Sequence, residues 1–315
     1  MLTERSDMPP PFERIAIAGF GLMGASIALA ARRIWPSALL IAIDRKDVIE
    51  RAMRMHAADV GGDDLVMAAG ADLVILAAPV RANIEMLVEL PQHVPGDAVV
   101  TDVGSTKREV MAAAAALPAR LRFVGGHPLA GAAIGGLDAA RPDLFKGRPW
   151  LVCPDAGSNR LRQGSGESAE ALRAKAEDPA LPRDNRLTEF IEALGAHPHV
   201  ISPEEHDALV AYLSHLPQFA ASALLHLVGD RAGADGLALA GRGLSDTTRL
   251  ASSPPDIWRD IAETNADNLS HAIDELIELL QRLKPGAAGS RDALDRTFDS
   301  AARWKQVLEG NRKEG

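Results

Sequence analysis

Short apolar runs alternate with amphipathic stretches through the first 200 or so positions of this chain. Residues 15–18, 39–43, 71–77, 97–101, 121–124 and 149–153 are each too short for a helix. They are rich in Val, Ile, Leu and Ala, the pattern of strands buried on both faces. Between them, residues 25–33, 46–55, 81–90 and 108–116 read as helices, and a helix over 187–194 with a strand over 199–201 closes this half. Such alternation predicts right-handed parallel crossovers, hence an α/β fold with a doubly wound, Rossmann-type parallel sheet over residues 14–201. Residues 1–13 predict a flexible arm. Residues 157–185 are polar, hold Gly, Ser and Pro, and lack an apolar face, which predicts a partly disordered surface insertion.

From residue 202 the strand signals stop. Ser202, Pro203, Glu204 and Glu205 combine an N-cap, a proline at the first helical position and acids in the first turn. The apolar period is then near 3.6, and helices are predicted over 204–229, 254–283 and 289–309. In the middle one Leu269, Ile273, Leu276, Ile277 and Leu280 share a broad face. Residues 202–315 therefore predict an all-α domain. Its apolar faces exceed what its own helices can cover, so it is expected to be a dimerisation domain that joins two copies of the chain.

Composition narrows the partners. A length of 315 residues suits two ordinary domains, and a net charge of −9 with acids and bases interspersed argues against a nucleic-acid surface. No stretch reads as the ~18 apolar residues of a membrane span, and the N-terminus lacks an apolar segment. The expectation is a cytoplasmic protein with no membrane partner. The lone cysteine, Cys153, excludes an internal disulfide and predicts a buried, inert thiol at a strand end. His197, His199 and His206 fit no common ligand spacing, so no metal is expected.

The chemistry begins at Gly19-Phe20-Gly21-Leu22-Met23-Gly24, directly after one strand and before one helix. Gly19 permits the tight turn, Gly21 lets a pyrophosphate approach the backbone, and Gly24 lets the helix pack on the strand. The helix start at Leu22 and Met23 offers amides and a positive dipole end to phosphates. Asp44 ends the second strand, twenty residues after Gly24, where a carboxylate accepts both ribose hydroxyls and repels a 2′-phosphate. These residues point to NAD as cofactor. The 77–80 loop, with Ala78 and Pro79, should lie beside it at the carboxyl edge of the sheet. Two polar loops, around Ser105 and around His127, should emerge from the same edge.

Five stretches together resemble the prephenate/arogenate dehydrogenase family: GFGLMGAS at 19–26, DVGSTK at 102–107, GGHPLAG at 125–131, LSHLPQ at 213–218 and LSDTTRLASSPPDIWRDIAE at 244–263. The resemblance covers nearly the whole chain apart from the first dozen residues and 157–185. It implies a dimer of two-domain chains that oxidatively decarboxylate a cyclohexadiene dicarboxylate, prephenate or arogenate, in tyrosine biosynthesis. It also implies His127 as the catalytic base, Ser105 bonded to the substrate hydroxyl or the nicotinamide side, His215 as a hydrogen-bond donor to substrate, and Arg249 as the clamp on a substrate carboxylate. Lys107 reads as a surface cation at a helix start, and Trp258 as structural or interfacial. The run 132–136 lacks the acid that many members carry there, and Leu244-Ser245-Asp246 lacks a cation usual before the Thr-Arg pair. Two other readings are a β-hydroxyacid dehydrogenase, whose catalytic lysine is missing from 204–229, and a non-catalytic NAD-sensing regulator, which would need neither His127 nor Arg249.

Overall fold

Period-two burial sorts the strand residues into two layers. In β1 (Arg14–Ala18), Ile15 and Ile17 enter one apolar cluster, while Ala16 and Ala18 enter another on the opposite sheet face. The structure is a computed structural model that describes residues 9–131, 135–154, 185–287 and 289–313. Residues 1–8 of the expected arm and 157–184 of the expected insertion lie outside these. The end of the arm is anchored: Phe12 is fully buried edge-on to Phe190, and the amides of Glu13 and Arg14 donate to Asp72.

After β1 come α1 (Leu22–Ile34), β2 (Leu39–Ile43), α2 (Lys46–Arg54), β3 (Val60–Gly62) and β4 (Leu73–Leu76). They are followed by α3 (Val80–His93), β5 (Ala98–Asp102), α4 (Arg108–Ala114), β6 (Leu121–Pro128), β7 (Pro149–Cys153), α5 (Asn185–Ala193) and β8 (His197–Val200). The spatial order is β3-β2-β1-β4-β5-β6-β7-β8. The first six strands are parallel, β7 runs antiparallel to β6, and β8 is parallel to β7. The doubly wound sheet is as expected. The order reverses between β1 and β4, the place where such sheets open a crevice for ligands.

The second half is helical: α6 (Pro203–Val210), α7 (Leu216–Leu237), α8 (Arg242–Thr247), α9 (Pro255–Thr264), α10 (Ala266–Leu283) and α11 (Ser290–Lys313). Ser202 and Glu205 form a reciprocal capping box at its start. Three local features differ from expectation. The helix expected over 254–283 divides at Asn265, whose buried amide nitrogen faces Asp207 O and His215 Nδ1 outside its own helix. A π-helical turn, Ala211–His215, joins α6 to α7. The resulting run Pro203–Leu237 is long and apolar enough to cross a membrane by length and composition, contrary to the reading of the sequence. One chain leaves most of it uncovered, with Leu213 and Leu227 exposed.

The helical half docks on the carboxyl edge of the sheet. Thr106 and Thr264 share a buried 2.8 Å hydroxyl contact, Arg81 Nε donates to Glu263 at 2.7 Å, and Arg108 pairs with Asp267. Their docking sets the geometry of the site.

Candidate active site

A cleft of about 1130 Å³ opens at the switch point between β1 and β4. Gly19, Gly21, Leu22, Met23 and Asp44 line one side, and Ala78, Pro79 and Ser105 line another. Gly24 lies beneath the surface, where a Cβ would collide with the Gly19 carbonyl oxygen. Gly19 has φ +95°, and a Cβ there would stand 2.5 Å from the backbone of Ala77 and Ala78. A side chain would thus wedge apart the strand ends that form the floor. Nothing lies within 4 Å of a Cβ built at Gly21, so that stretch of backbone is open to a ligand. The first turn of α1 has no side-chain cap, leaving its amides for an anion.

Asp44 accepts from the amides of Phe20 at 2.6 Å and Arg45 at 2.7 Å. Each oxygen keeps a further lone pair for a ribose hydroxyl. The 77–80 loop is pinned from behind by Asn83, fully buried, whose Oδ1 accepts from Ala78 N and whose Nδ2 donates to Leu76 O. These residues fit a dinucleotide: uncapped amides, an open glycine backbone and a carboxylate at the far end of one cleft.

Behind the cleft sits a buried polar cluster. Sequence spacing suggested that His127 follows a strand end, but it lies inside β6, opposite Leu151 of β7. The strand continues because Gly126 lets the backbone press against β5, where a Cβ would stand 2.5 Å from the Asp102 carbonyl oxygen. His127 is 9% exposed, and its Nδ1 lies 2.8 Å from Nε2 of His206. His206, fully buried on α6, places its Nδ1 2.8 Å from Asp207 Oδ1. Burial drives the His127 pKa well below its usual value, helped by the nearby His206, Lys107 and His215. Burial also lowers His206, against the raising pull of its bond to Asp207. Burial alone would raise Asp207. Hydrogen bonds from His206 and from the amides of Arg108 and Lys107 outweigh it and hold the carboxyl below its ordinary range.

Lys107 corrects the expectation of a surface cation: it is fully buried. Its Nζ donates to Asp102 Oδ2 at 2.6 Å, to Gly104 O at 2.9 Å and to Thr106 O at 3.0 Å. Asp102 also accepts from the amides of Gly104 and Gly126. One buried carboxylate thus ties the Ser105 loop to the strand that carries His127. Ser105 is half-buried on the cleft wall and does not cap α4; Asp207 does, from the other domain, by accepting from the amides of Lys107 and Arg108.

His215 is fully buried at the end of the π turn, which turns it inward along with Ala211. Its Nδ1 lies 3.3 Å from Asn265 Nδ2, and its Nε2 has no partner among the described residues. Asn265 Oδ1 accepts from Arg108 and Asn268, so its amide nitrogen is the end facing His215 and donates to Nδ1. The proton of His215 is then on Nε2. Burial pushes its pKa down to about 4, so it is a neutral donor near pH 7. Trp258 lines the cleft and stands edge-on to the His215 ring, 6.3 Å between centroids. Arg249 is exposed on a short 3-10 turn after α8 and joins no ion pair among the described residues. The run 132–134, where an acid was missed, lies outside the described residues. Cys153 is buried, and burial pushes its thiol up to about 12.

Of the expected residues, eight line the cleft, Gly24 lies under it, His127 and His215 belong to the buried cluster, and Arg249 stands apart on the surface. Sequence reading missed Asp102, Lys107, His206, Asp207 and Asn265. The adjacent His206-Asp207 pair in the first turns of a helix was the one local hint, and only burial gave it meaning.

Known proteins agree with this architecture. Residues 27–163 match a family model described as the nucleotide-binding domain of prephenate dehydrogenase, and residues 202–299 match its dimerization domain. A prephenate dehydrogenase of Bacillus subtilis is 32% identical over 278 residues, 86% of this chain and 69% of that protein. A cyclohexadienyl dehydrogenase of Zymomonas mobilis is 30% identical, over 88% of this chain and 89% of that protein. The A. aeolicus prephenate dehydrogenase in complex with hydroxyphenyl propionate and NAD⁺ superposes with a TM-score of 0.74 at 26% identity, over 96% of this chain and 98% of that one. Synechocystis arogenate dehydrogenase gives 0.66 at 27% identity, over 96% and 99%. With both halves matched and a relative above 30% identity across most of its length, the chain belongs to the prephenate dehydrogenase family.

Proposed function

We propose that this protein oxidatively decarboxylates prephenate to 4-hydroxyphenylpyruvate with NAD⁺, in tyrosine biosynthesis, and accepts arogenate as a second substrate to give tyrosine. The observation that carries the reading is His127: a buried neutral imidazole, held by a second histidine, beside a cleft that fits a dinucleotide. NAD⁺ in that cleft supplies the hydride acceptor. Gly19, Gly21, Leu22, Met23, Gly24, Asp44, Ala78 and Pro79 hold it.

His127 receives the proton of the ring hydroxyl, because its depressed pKa keeps the accepting nitrogen free near pH 7. Ser105 on the cleft wall orients that hydroxyl or the nicotinamide side. His215, with an unpartnered Nε2–H, donates to the substrate. Arg249 lies outside the cleft of one chain, and its role as the clamp on a substrate carboxylate rests on the family resemblance and on a guanidinium with no acid on it among the described residues. As the hydride leaves the carbinol carbon, the ring carboxylate departs as CO₂ and its electron pair completes the aromatic ring.

Two copies of the chain pair through the helical domain. Leu239, Phe298 and Trp304 are 87%, 65% and 70% exposed in one chain, an apolar excess that a second copy would cover. The expected location is the cytoplasm. The β-hydroxyacid dehydrogenase and NAD-sensor readings are not favoured by the relatives found.

The test is NADH formation with prephenate and with arogenate, NAD⁺ and NADP⁺ in parallel. Turnover with prephenate and NAD⁺ is expected; no NADH from either substrate overturns the proposal.

A further inference from the structure

We infer that His206 and Asp207 are positioning residues that fix the tautomer of His127, leaving its Nε2 as the basic nitrogen. The inference rests on the proposed role of His127 as the base.

The assignment follows from donors and acceptors along the chain of contacts. Asp207 Oδ1 accepts from the Lys107 amide at 2.7 Å, and Oδ2 from the Arg108 amide at 3.0 Å. Backbone amides only donate, so the carboxylate is an acceptor throughout. At 2.8 Å from it, His206 Nδ1 must carry a proton. Neutral His206 then has a bare Nε2, and at 2.8 Å from that lone pair His127 Nδ1 must be N–H. With its only proton on Nδ1, neutral His127 presents an unprotonated Nε2. The other tautomer would set two lone pairs against each other in a buried pocket.

The same wiring serves the proton transfer. The substrate O–H bond breaks, an N–H bond forms at His127 Nε2, and the ring becomes an imidazolium. Its Nδ1–H then donates to His206 as a charge-assisted bond, two contacts from the Asp207 carboxylate. The charged and titratable groups around the pair are Lys107, His215, Asp102 and Asp207, and of these only the two carboxylates favour the cation. Asp207 and His206 lie in the helical domain, whereas His127 lies in the sheet. The base is therefore prepared only when the two domains are docked.

Two replacements separate this role from simple packing. In His206→Gln the side-chain carbonyl can still accept from His127 Nδ1. In His206→Asn the amide can still donate to Asp207 but does not reach His127. Steady-state kinetics with prephenate and NAD⁺ should show His206→Asn losing roughly 100-fold or more in kcat with both KM values kept. His206→Gln should retain most turnover. Equal losses in both variants, or none in either, overturn the inference. Nitrogen NMR of the unmutated, histidine-labelled protein gives a second readout: Nδ1 of His127 should be protonated and Nε2 bare at neutral pH, and the reverse overturns it. His127→Asn run in parallel distinguishes the two levels. If that variant turns over normally, the base assignment itself fails; if it is dead while His206→Asn is active, only the positioning role fails.

Discussion

Lys107→Met tests whether the buried ion pair holds the site together. The substitution keeps the unbranched stem and removes Nζ, with its bonds to Asp102, Gly104 and Thr106. Both charged side chains are 0% exposed, so no water replaces the ammonium. Asp102 would keep the Gly104 and Gly126 amides but lose its countercharge. Breaking one partner out of such a pair costs about 3–5 kcal/mol, whereas an exposed pair is worth about 0–1. A loss of roughly 3 kcal/mol in unfolding free energy is expected, read by urea denaturation with tryptophan fluorescence. Because Asp102 ties the Ser105 loop to the His127 strand, kcat/KM with prephenate should fall as well. The double variant Asp102→Asn/Lys107→Met removes both charges and should be more stable than Lys107→Met alone. A loss below about 1 kcal/mol for Lys107→Met, or a double variant as unstable as the two losses added, would refute this account.

Stability should depend on pH through the buried histidines. His127, His206 and His215 all have folded pKa values below the unfolded value of 6.5, that of His215 near 4. The unfolded chain then binds more protons, so stability is full above about pH 6.5 and falls as pH drops toward 4, by a few kcal/mol in all; a flat denaturation midpoint across that window would contradict it. Gly19→Ala forces a side chain into φ +95° and against the Ala77–Ala78 backbone. It should cost about 1–3 kcal/mol and weaken NAD⁺ binding, and an unchanged Tm and Kd would count against the glycine argument. Phe298→Asp with Trp304→Asp should shift sedimentation from dimer to monomer; an unchanged dimer would move the interface elsewhere on the helical domain.

Much of the fold was legible because it rests on local rules. Strand runs, helix periods and the Gly19–Gly24 turn each depend on neighbours within a few residues, and the alternation of strands and helices implies a doubly wound sheet, whereas the strand order and the antiparallel β7 came from the structure. Seven of the eight cleft-lining residues, all but Ser105, were readable for the same reason: strand ends, a turn and a helix N-terminus specify a nucleotide cradle by themselves. The resemblance supplied His127, Ser105, His215 and Arg249, but not what surrounds them.

What the sequence alone determined was the doubly wound sheet, the helical second domain, the NAD cradle and the family. Tertiary structure alone decided the chemistry of the buried cluster. Lys107 is a surface cation by composition and the centre of a dry ion pair by position, because Asp102 and two carbonyls converge on it from β5 and its loop. His206 and Asp207 are ordinary residues near the start of α6 until domain docking sets them against His127 and the start of α4. Protonation states and tautomers depend on burial and on partners up to about 100 positions away. Such distances carry no periodic signal along the chain, so only the folded molecule brings these groups into register.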